Sequence, residues 1–445
     1  MIFQMPYGKT GMEVTLPEKN VFILGPPRKV EPASIGATAA ALENPIGSPP
    51  FEELISGRKS ALIAITDHQR LGAYQREVLS QVLTRLHGAG LNRIKILIAR
   101  GSHTPSERSE WAEIYGAEAV KGHEVILHDP HAEKDLVDLG ATEKGDPVVV
   151  NRAVLEPDLV VGIGLIRPGV RAGYTGGAKL FAVGSAAYST ILSTHSPSVY
   201  LHPRTLVGNY QDHPFRERIV PIARKAEKAS RAGTFFVINV VQQAGKTLDV
   251  FAGDMQQAWR KGCQFAQNLY EVNVPEPADI LVCGGGFPLD RSAYVFTTLL
   301  TTICRSNPVP LVKKGGVVIA LATLEQKPTE GSAEENFLRM VERIPYENAV
   351  DRVKEIQGQA RGVSKDLEGL HKILGTAGLF NHTDGNVFIV GSKNVETVKR
   401  LRFTPFETLS AALDRAAEIK GPGANILVVP NLNVISPYVG RPEKK

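Results

Sequence analysis

Strand-length apolar runs rich in β-branched residues alternate with helical patterns along this chain, and that alternation leaves few folds open. Ser60–Thr66, Ile94–Ala99, Val125–Leu127, Val148–Val150 and Leu159–Ile163 read as strands. Helical patterns run through Ala73–Leu86, Ser185–Thr194 and Phe215–Ala229, and Ser106-Glu107 after Pro105 opens another. Phe235–Val241 and Thr247–Phe251 form a pair of strands joined by Gln-Ala-Gly-Lys. After the proline-punctuated segment Asn273-Val-Pro-Glu-Pro the pattern restarts, with strands at Ile280–Cys283, Val317–Leu321, Val387–Val390 and Ile426–Val429. Helices are expected at Ala293–Cys304, Glu334–Arg343 and Phe406–Ile419. A chain of 445 residues exceeds one ordinary core. The expected fold class is therefore α/β: two α/β domains with largely parallel sheets, residues 1–273 and 274–445, facing each other across an active-site cleft.

Bulk properties exclude several function classes. A net charge of +5 is spread without a basic block, so nucleic acid is not implied, although a mildly positive field suits an anionic substrate or a phosphorylated cofactor. The longest apolar runs, Leu159–Ile166 and Gly316–Leu321, cannot span a bilayer, and the start Met1-Ile-Phe-Gln-Met-Pro lacks the apolar core of a signal peptide. Cys263, Cys283 and Cys304 have no metal-ligand spacing and are too few for a disulfide framework. These features point to a soluble, cytoplasmic protein with no membrane partner.

Chemistry is concentrated at strand ends. Thr66-Asp67-His68-Gln69-Arg70 follows the first strand, where a helix N-terminus favours anions; Asp67 is equally suited to a helix N-cap and Arg70 to a solvated first turn. Gly101-Ser102-His103 follows the next strand and His128-Asp129 a third. Residues 171–179, Arg-Ala-Gly-Tyr-Thr-Gly-Gly-Ala-Lys, place four glycines around Lys179 when counted from Gly169. Backbone can approach a bound group closely there, while the lysine offers a charge or an amine. Neither a Walker loop nor a dinucleotide fingerprint fits the spacing. Gly285-Gly286-Phe287-Pro288-Leu289-Asp290 opens the second domain, either as a site loop or as a plain turn with Asp290 as N-cap.

Taken in order, these segments resemble the nickel-dependent lactate racemase family, whose members carry a nickel-pincer nucleotide. The resemblance runs from Pro6-Tyr7-Gly8-Lys9 through Asp67–Arg70, Gly101–His103, Ile166–Gly184 and Phe251-Ala-Gly-Asp254. It continues through the Gly-Gly-Phe-Pro-x-Asp turn, Lys314-Gly-Gly316 and Leu409–Leu413. It implies that Lys179 is joined covalently to the cofactor through a thioamide and that His195 is the nickel ligand. Asp67, Gly173, Tyr174, Thr175, Gly176, Gly177 and Tyr294 would serve the cofactor, and Arg70 the substrate anion. His103 would be one of two histidines that alternate as base and acid. The implied reaction is racemisation of a 2-hydroxy acid by transient hydride transfer to the cofactor, with cofactor-synthesis proteins as maturation partners.

The chain departs from this pattern where it matters. The family's second histidine follows the proline of Ile-x-Pro-His, and this chain has Ile166-Arg167-Pro168-Gly169. A glutamine and a lysine in the helix after the Gly-Gly-Phe-Pro-x-Asp turn are here Val295 and Thr298. Arg167 and Arg171 replace the lost charge but not the base, since arginine stays protonated; His128 and His202 are the histidines left to consider. The expectation is a racemase or epimerase of a hydroxy acid other than lactate. The alternatives are a one-sided hydride-transfer enzyme on the same cofactor and a non-catalytic cofactor- or anion-binding homologue.

Overall fold

The computed structural model describes residues 1–440 apart from 26–29, 34–35, 71, 73, 244 and 360–368. Two six-stranded sheets organise it. The first runs in the order Lys246–Asp254, Phe235–Gln243, Leu159–Ile166, Ser60–Thr66, Arg93–Ala99, Glu124–Leu127, parallel throughout except for the antiparallel edge pair. Leu159–Ile166 is buried at every position, as a central parallel strand covered on both faces must be. Sequence order departs in both directions from Ser60–Thr66, so the crevice beyond the carboxyl ends of Ser60–Thr66 and Leu159–Ile166 is a topological switch point.

The second sheet is wholly parallel: Thr404–Phe406, Val387–Val390, Val312–Leu321, Ala278–Gly284, Ile426–Val429 and Val21–Ile23. Its switch point lies between Ala278–Gly284 and Ile426–Val429. The α/β class with mainly parallel sheets is thus the observed one. Strand pairing joins the N-terminal segment to this second sheet, with Val21 opposite Ile426, and Met5, Val14 and Leu16 lie in its core. Glu271–Val274, which carries the expected domain junction, pairs with the C-terminal strand Ser436–Val439.

Several boundaries moved for local reasons. The helix expected at Ser185–Thr194 begins at Tyr188, because Leu180–Gly184 forms a wide turn closed by Ser185 Oγ donating to the Phe181 carbonyl. Phe406 ends a strand, and its helix starts at Leu409 under a Thr408 cap. The helix expected from Ala73 is observed as Tyr74–Gly88, residue 73 lying outside the described residues, as does Ala244 of the expected turn. Ala349–Gln359 and Leu370–His382 are helices that no motif announced.

Candidate active site

The two switch points face each other across one cavity. From the first sheet it is lined by the segments that follow three strands, bearing Asp67 and Arg70, then Ser102 and His103, then Arg167 to Lys179. From the second come Leu289, Val295, Thr298 and Asn433, together with His371 and Lys372 at the start of Leu370–His382.

The glycine loop is fastened from behind. Buried Arg216 donates to the carbonyls of Ala172 at 3.2 Å, Gly176 at 3.0 Å and Tyr174. Trp259 Nε1 donates to the Thr175 carbonyl at 2.8 Å, and the Gly177 amide donates to Asn239 Oδ1 at 2.9 Å. Gly177 has φ +56°, and a Cβ there would stand 2.8 Å from the Trp259 ring. Its glycine is a requirement of the fold. Lys179 ends this anchored segment and lines the cavity. Burial, then the charges of Arg70 and Arg216, lower its amine to about 7, against the pull of Asp67. A lysine with about half its amine groups unprotonated at neutral pH is a nucleophile.

Asp67 and His103 form a pair, Oδ2 to Nδ1 at 2.6 Å. Burial works against the carboxylate charge, but His103, by charge and hydrogen bond, and then His68 and Arg70 hold the Asp67 carboxyl well below the usual range. Burial pushes the His103 ring down to about 4, with Arg70 and Lys372 adding to it and Asp67 opposing. At neutral pH the ring is therefore neutral, donates Nδ1–H to Asp67 and keeps a lone pair on Nε2. His195 is prepared in the same sense. Its Nδ1 lies 2.7 Å from the Ile191 carbonyl, so Nδ1 carries the hydrogen and Nε2 is left for a metal. Burial, then Arg171, lowers its pKa and excludes the imidazolium form at neutral pH.

The structure brings Asp67, Arg70, His103, Thr175, Gly176, Lys179 and His195 together on the cavity wall. Gly173, Tyr174, Gly177 and Tyr294 lie behind it. Tyr294 is fully buried, its hydroxyl 3.0 Å from Ser102 Oγ, and acts as a strut between the two halves of the site. Neither histidine considered for the missing base reaches the cavity. His128 is enclosed, with Nε2 on the Ala186 carbonyl and Nδ1 against Asn151, while His202 Nδ1 accepts from the Arg204 amide in a separate loop. Asp290 is structural, accepting the Gly8 amide at 2.6 Å, which also explains the Pro6-Tyr7-Gly8-Lys9 motif.

Two residues that sequence reasoning missed stand in the cavity. His371 packs edge-on against His195, ring centroids 5.0 Å apart, with Nδ1 3.3 Å from the Tyr188 hydroxyl. Buried Lys372 donates to the Tyr294 carbonyl at 2.6 Å and sits 3.3 Å above the Tyr294 ring centre. Among the described residues there is no cluster of three His, Cys, Asp or Glu side chains suited to a metal, and no helix is long and apolar enough to cross a membrane. The donor set nevertheless fits a group tethered at Lys179 that brings its own metal ligands and takes one imidazole from the protein.

Comparison with known proteins adds to this geometry. Residues 7–208 match the lactate racemase N-terminal domain. A lactate racemase of Thermoanaerobacterium thermosaccharolyticum is 28% identical over 435 residues, covering 96% of this chain and 97% of its own. One of Lactiplantibacillus plantarum is 28% identical over 400 residues, with 88% of each covered. The structure of the T. thermosaccharolyticum lactate racemase apoprotein superposes with a TM-score of 0.80 at 26% identity, over 98% of this chain and 100% of that one. A crystal structure of a Thermotoga maritima protein, 16% identical, gives 0.70 over 93% and 100%, a likeness of fold alone.

Proposed function

Because this chain belongs to the lactate racemase family, we propose that it racemises or epimerises a 2-hydroxy acid other than lactate, using a nickel-pincer nucleotide held at Lys179 and His195. The observation that carries the reading is the convergence of a near-neutral lysine, a histidine with a free Nε2 and the Asp67–His103 pair on one cavity. When bound, the group supplies a hydride-accepting ring beside a nickel ion.

The protein supplies the rest. Arg70 presents a guanidinium beside Asp67 and His103, suited to hold the substrate carboxylate through two hydrogen bonds. His103 Nε2 takes the hydroxyl proton on one face, and Asp67 steadies the ring as it becomes charged. Gly169 offers no proton carrier; His371, an imidazole on the same cavity and not assigned to nickel, takes that role in this reading. Val295 and Thr298 put no charge at the two positions where the resemblance has a glutamine and a lysine.

Intact mass and metal analysis of protein produced together with the cofactor-synthesis proteins tests the anchor. A mass increment on Lys179 and bound nickel are expected; unmodified Lys179 overturns the cofactor assignment. His103→Gln and His371→Gln then separate the chemistry. Each should retain nickel and block formation of the 2-oxo acid from one enantiomer only, read by acid quench of the loaded enzyme. If His371→Gln leaves oxidation of both enantiomers intact, the reaction uses one base, and an oxidised product of a one-sided transfer is the outcome to look for.

A further inference from the structure

The cavity carries more positive charge than a single carboxylate can answer. Arg70 and Arg167 stand about Asp67, the one carboxylate on its wall among the described residues, with Lys179 beside them. Arg171 and Lys372 form a second group around His195 and His371, on the other side of the site. Arg171 makes no ion pair among the described residues; its Nε and Nη2 are buried without hydrogen-bond partners, and its guanidinium lies 5.5 Å from the Tyr200 ring centre. Lys372, 6% exposed, has the Tyr294 carbonyl and ring as neighbours. The nearby carboxyl of Glu334 is already taken up by Ser292 Oγ and the Ala293 amide, both at 2.6 Å.

These two cations repel each other. Burial, and next the charge of Arg171, lowers the Lys372 ammonium well below its ordinary value, with Glu334 only partly offsetting this. Two cations set together in a largely buried wall, with no counterion among the described residues, are costly unless an anion arrives. Gly169, between Arg167 and Arg171 in the sequence, lines the same cavity. That residue is outside the positive-φ region, and a Cβ there would meet only Thr175 Cγ2, at 3.6 Å. Neither backbone nor space requires glycine, so its effect is to leave room beside Arg171.

Resting on the reading of this cavity as a hydroxy-acid site, we propose that Arg171 and Lys372 form a second anion subsite. The substrate is then a 2-hydroxy acid with a further acidic group, carboxylate or phosphate, at its far end. Arg70 holds the carboxylate next to the reacting carbon, and Arg171 with Lys372 holds the distal group. The same arrangement selects against lactate, which would leave the second pair of cations unanswered.

The test is calorimetric titration of the protein, purified after production with the cofactor-synthesis proteins, with lactate, malate and 3-phosphoglycerate at low and moderate salt. Both ligands with a distal acid, or the one whose distal group fits, should bind at least about tenfold more tightly than lactate, and salt should weaken them more steeply. Lys372→Gln and Arg171→Gln should each remove about tenfold of that affinity while leaving lactate within twofold. Arg171 has no ion pair to lose among the described residues, so its variant keeps the test sound if Lys372→Gln fails to fold, which thermal melting reports. Equal binding of lactate, malate and 3-phosphoglycerate, or an equal loss for all three ligands in the Arg171 variant, overturns the subsite. Tight, Arg171-dependent binding of malate or 3-phosphoglycerate without modification of Lys179 would instead retain the subsite and remove the racemase reading.

Discussion

Two glycines eight residues apart should respond in opposite ways to one added methyl group. At Gly177 an alanine must hold φ near +56°, which costs ~1–2 kcal/mol for a residue with a Cβ. That Cβ would lie 2.8 Å from Trp259 Cγ and 2.9 Å from its Cβ. The tryptophan cannot retreat freely, since its Nε1 is bound to the Thr175 carbonyl at 2.8 Å and the Arg216 guanidinium stacks 3.9 Å from its ring centre. Overpacking of this kind adds ~1–3 kcal/mol, so Gly177→Ala should cost about 2–5 kcal/mol. Gly169→Ala meets neither penalty and should stay within ~0.5 kcal/mol. Urea unfolding followed by tryptophan fluorescence suits the comparison, because Trp259, one of two tryptophans, sits against Gly177. A loss below ~1 kcal/mol at Gly177, or a larger loss at Gly169 than at Gly177, would refute the division of this loop into fold glycines and a vacated position.

Asp67→Asn should leave the fold intact but remove the charge that steadies His103, lowering turnover of the loaded enzyme by about 10²–10⁴ with a smaller change in KM; an unchanged rate would remove Asp67 from the machinery. Lys179, near 7, has a neutral fraction at pH 7 roughly a thousandfold above that of an ordinary lysine. Acylation at that pH with peptide mapping should mark Lys179 ahead of the exposed lysines. His103 and His128 are each lowered to about 4, chiefly by burial, so the folded state stays neutral where the unfolded chain takes up protons near 6.5. Stability should therefore fall as pH drops from 6.5 towards 4 and gain nothing from these groups above that window. A flatter urea-midpoint slope in His128→Gln over the same range would bear this out, and an unchanged slope would contradict it.

Local chemistry explains which parts of the site could be read from the chain. Asp67, His103 and Lys179 each follow a strand whose burial pattern is explicit, and strand ends at a switch point are where ligands gather. Gly169 was legible as a missing side chain, but not what stands in for it. His371 and Lys372 lie in Gly369-Leu-His-Lys-Ile, a segment with no glycine pattern, no strand before it and no neighbour in sequence belonging to the site. Their one signal is a histidine and a lysine on the buried face of a helix, where either residue is expensive without a task. Tyr294 is a different case. The resemblance assigns it to the cofactor, and the structure shows its ring buried and its hydroxyl bonded to Ser102, which lines the cavity. The partnership of Val21–Ile23 with Ile426–Val429 was equally out of reach, because a three-residue edge strand carries almost no periodic signal.

That short strand ties the beginning of the chain to its end. Val21–Ile23 pairs with Ile426–Val429, and Glu271–Val274 pairs with Ser436–Val439. Ile426–Val429 also stands between Val21–Ile23 and Ala278–Gly284, so that early strand has no place in the sheet until the last part of the chain is laid down. Pairings of such sequence separation carry the largest loop-closure cost. A chain emerging from its N-terminus therefore completes the sheet behind His371 and Lys372 last, and the cavity gains its second wall only at the end of synthesis.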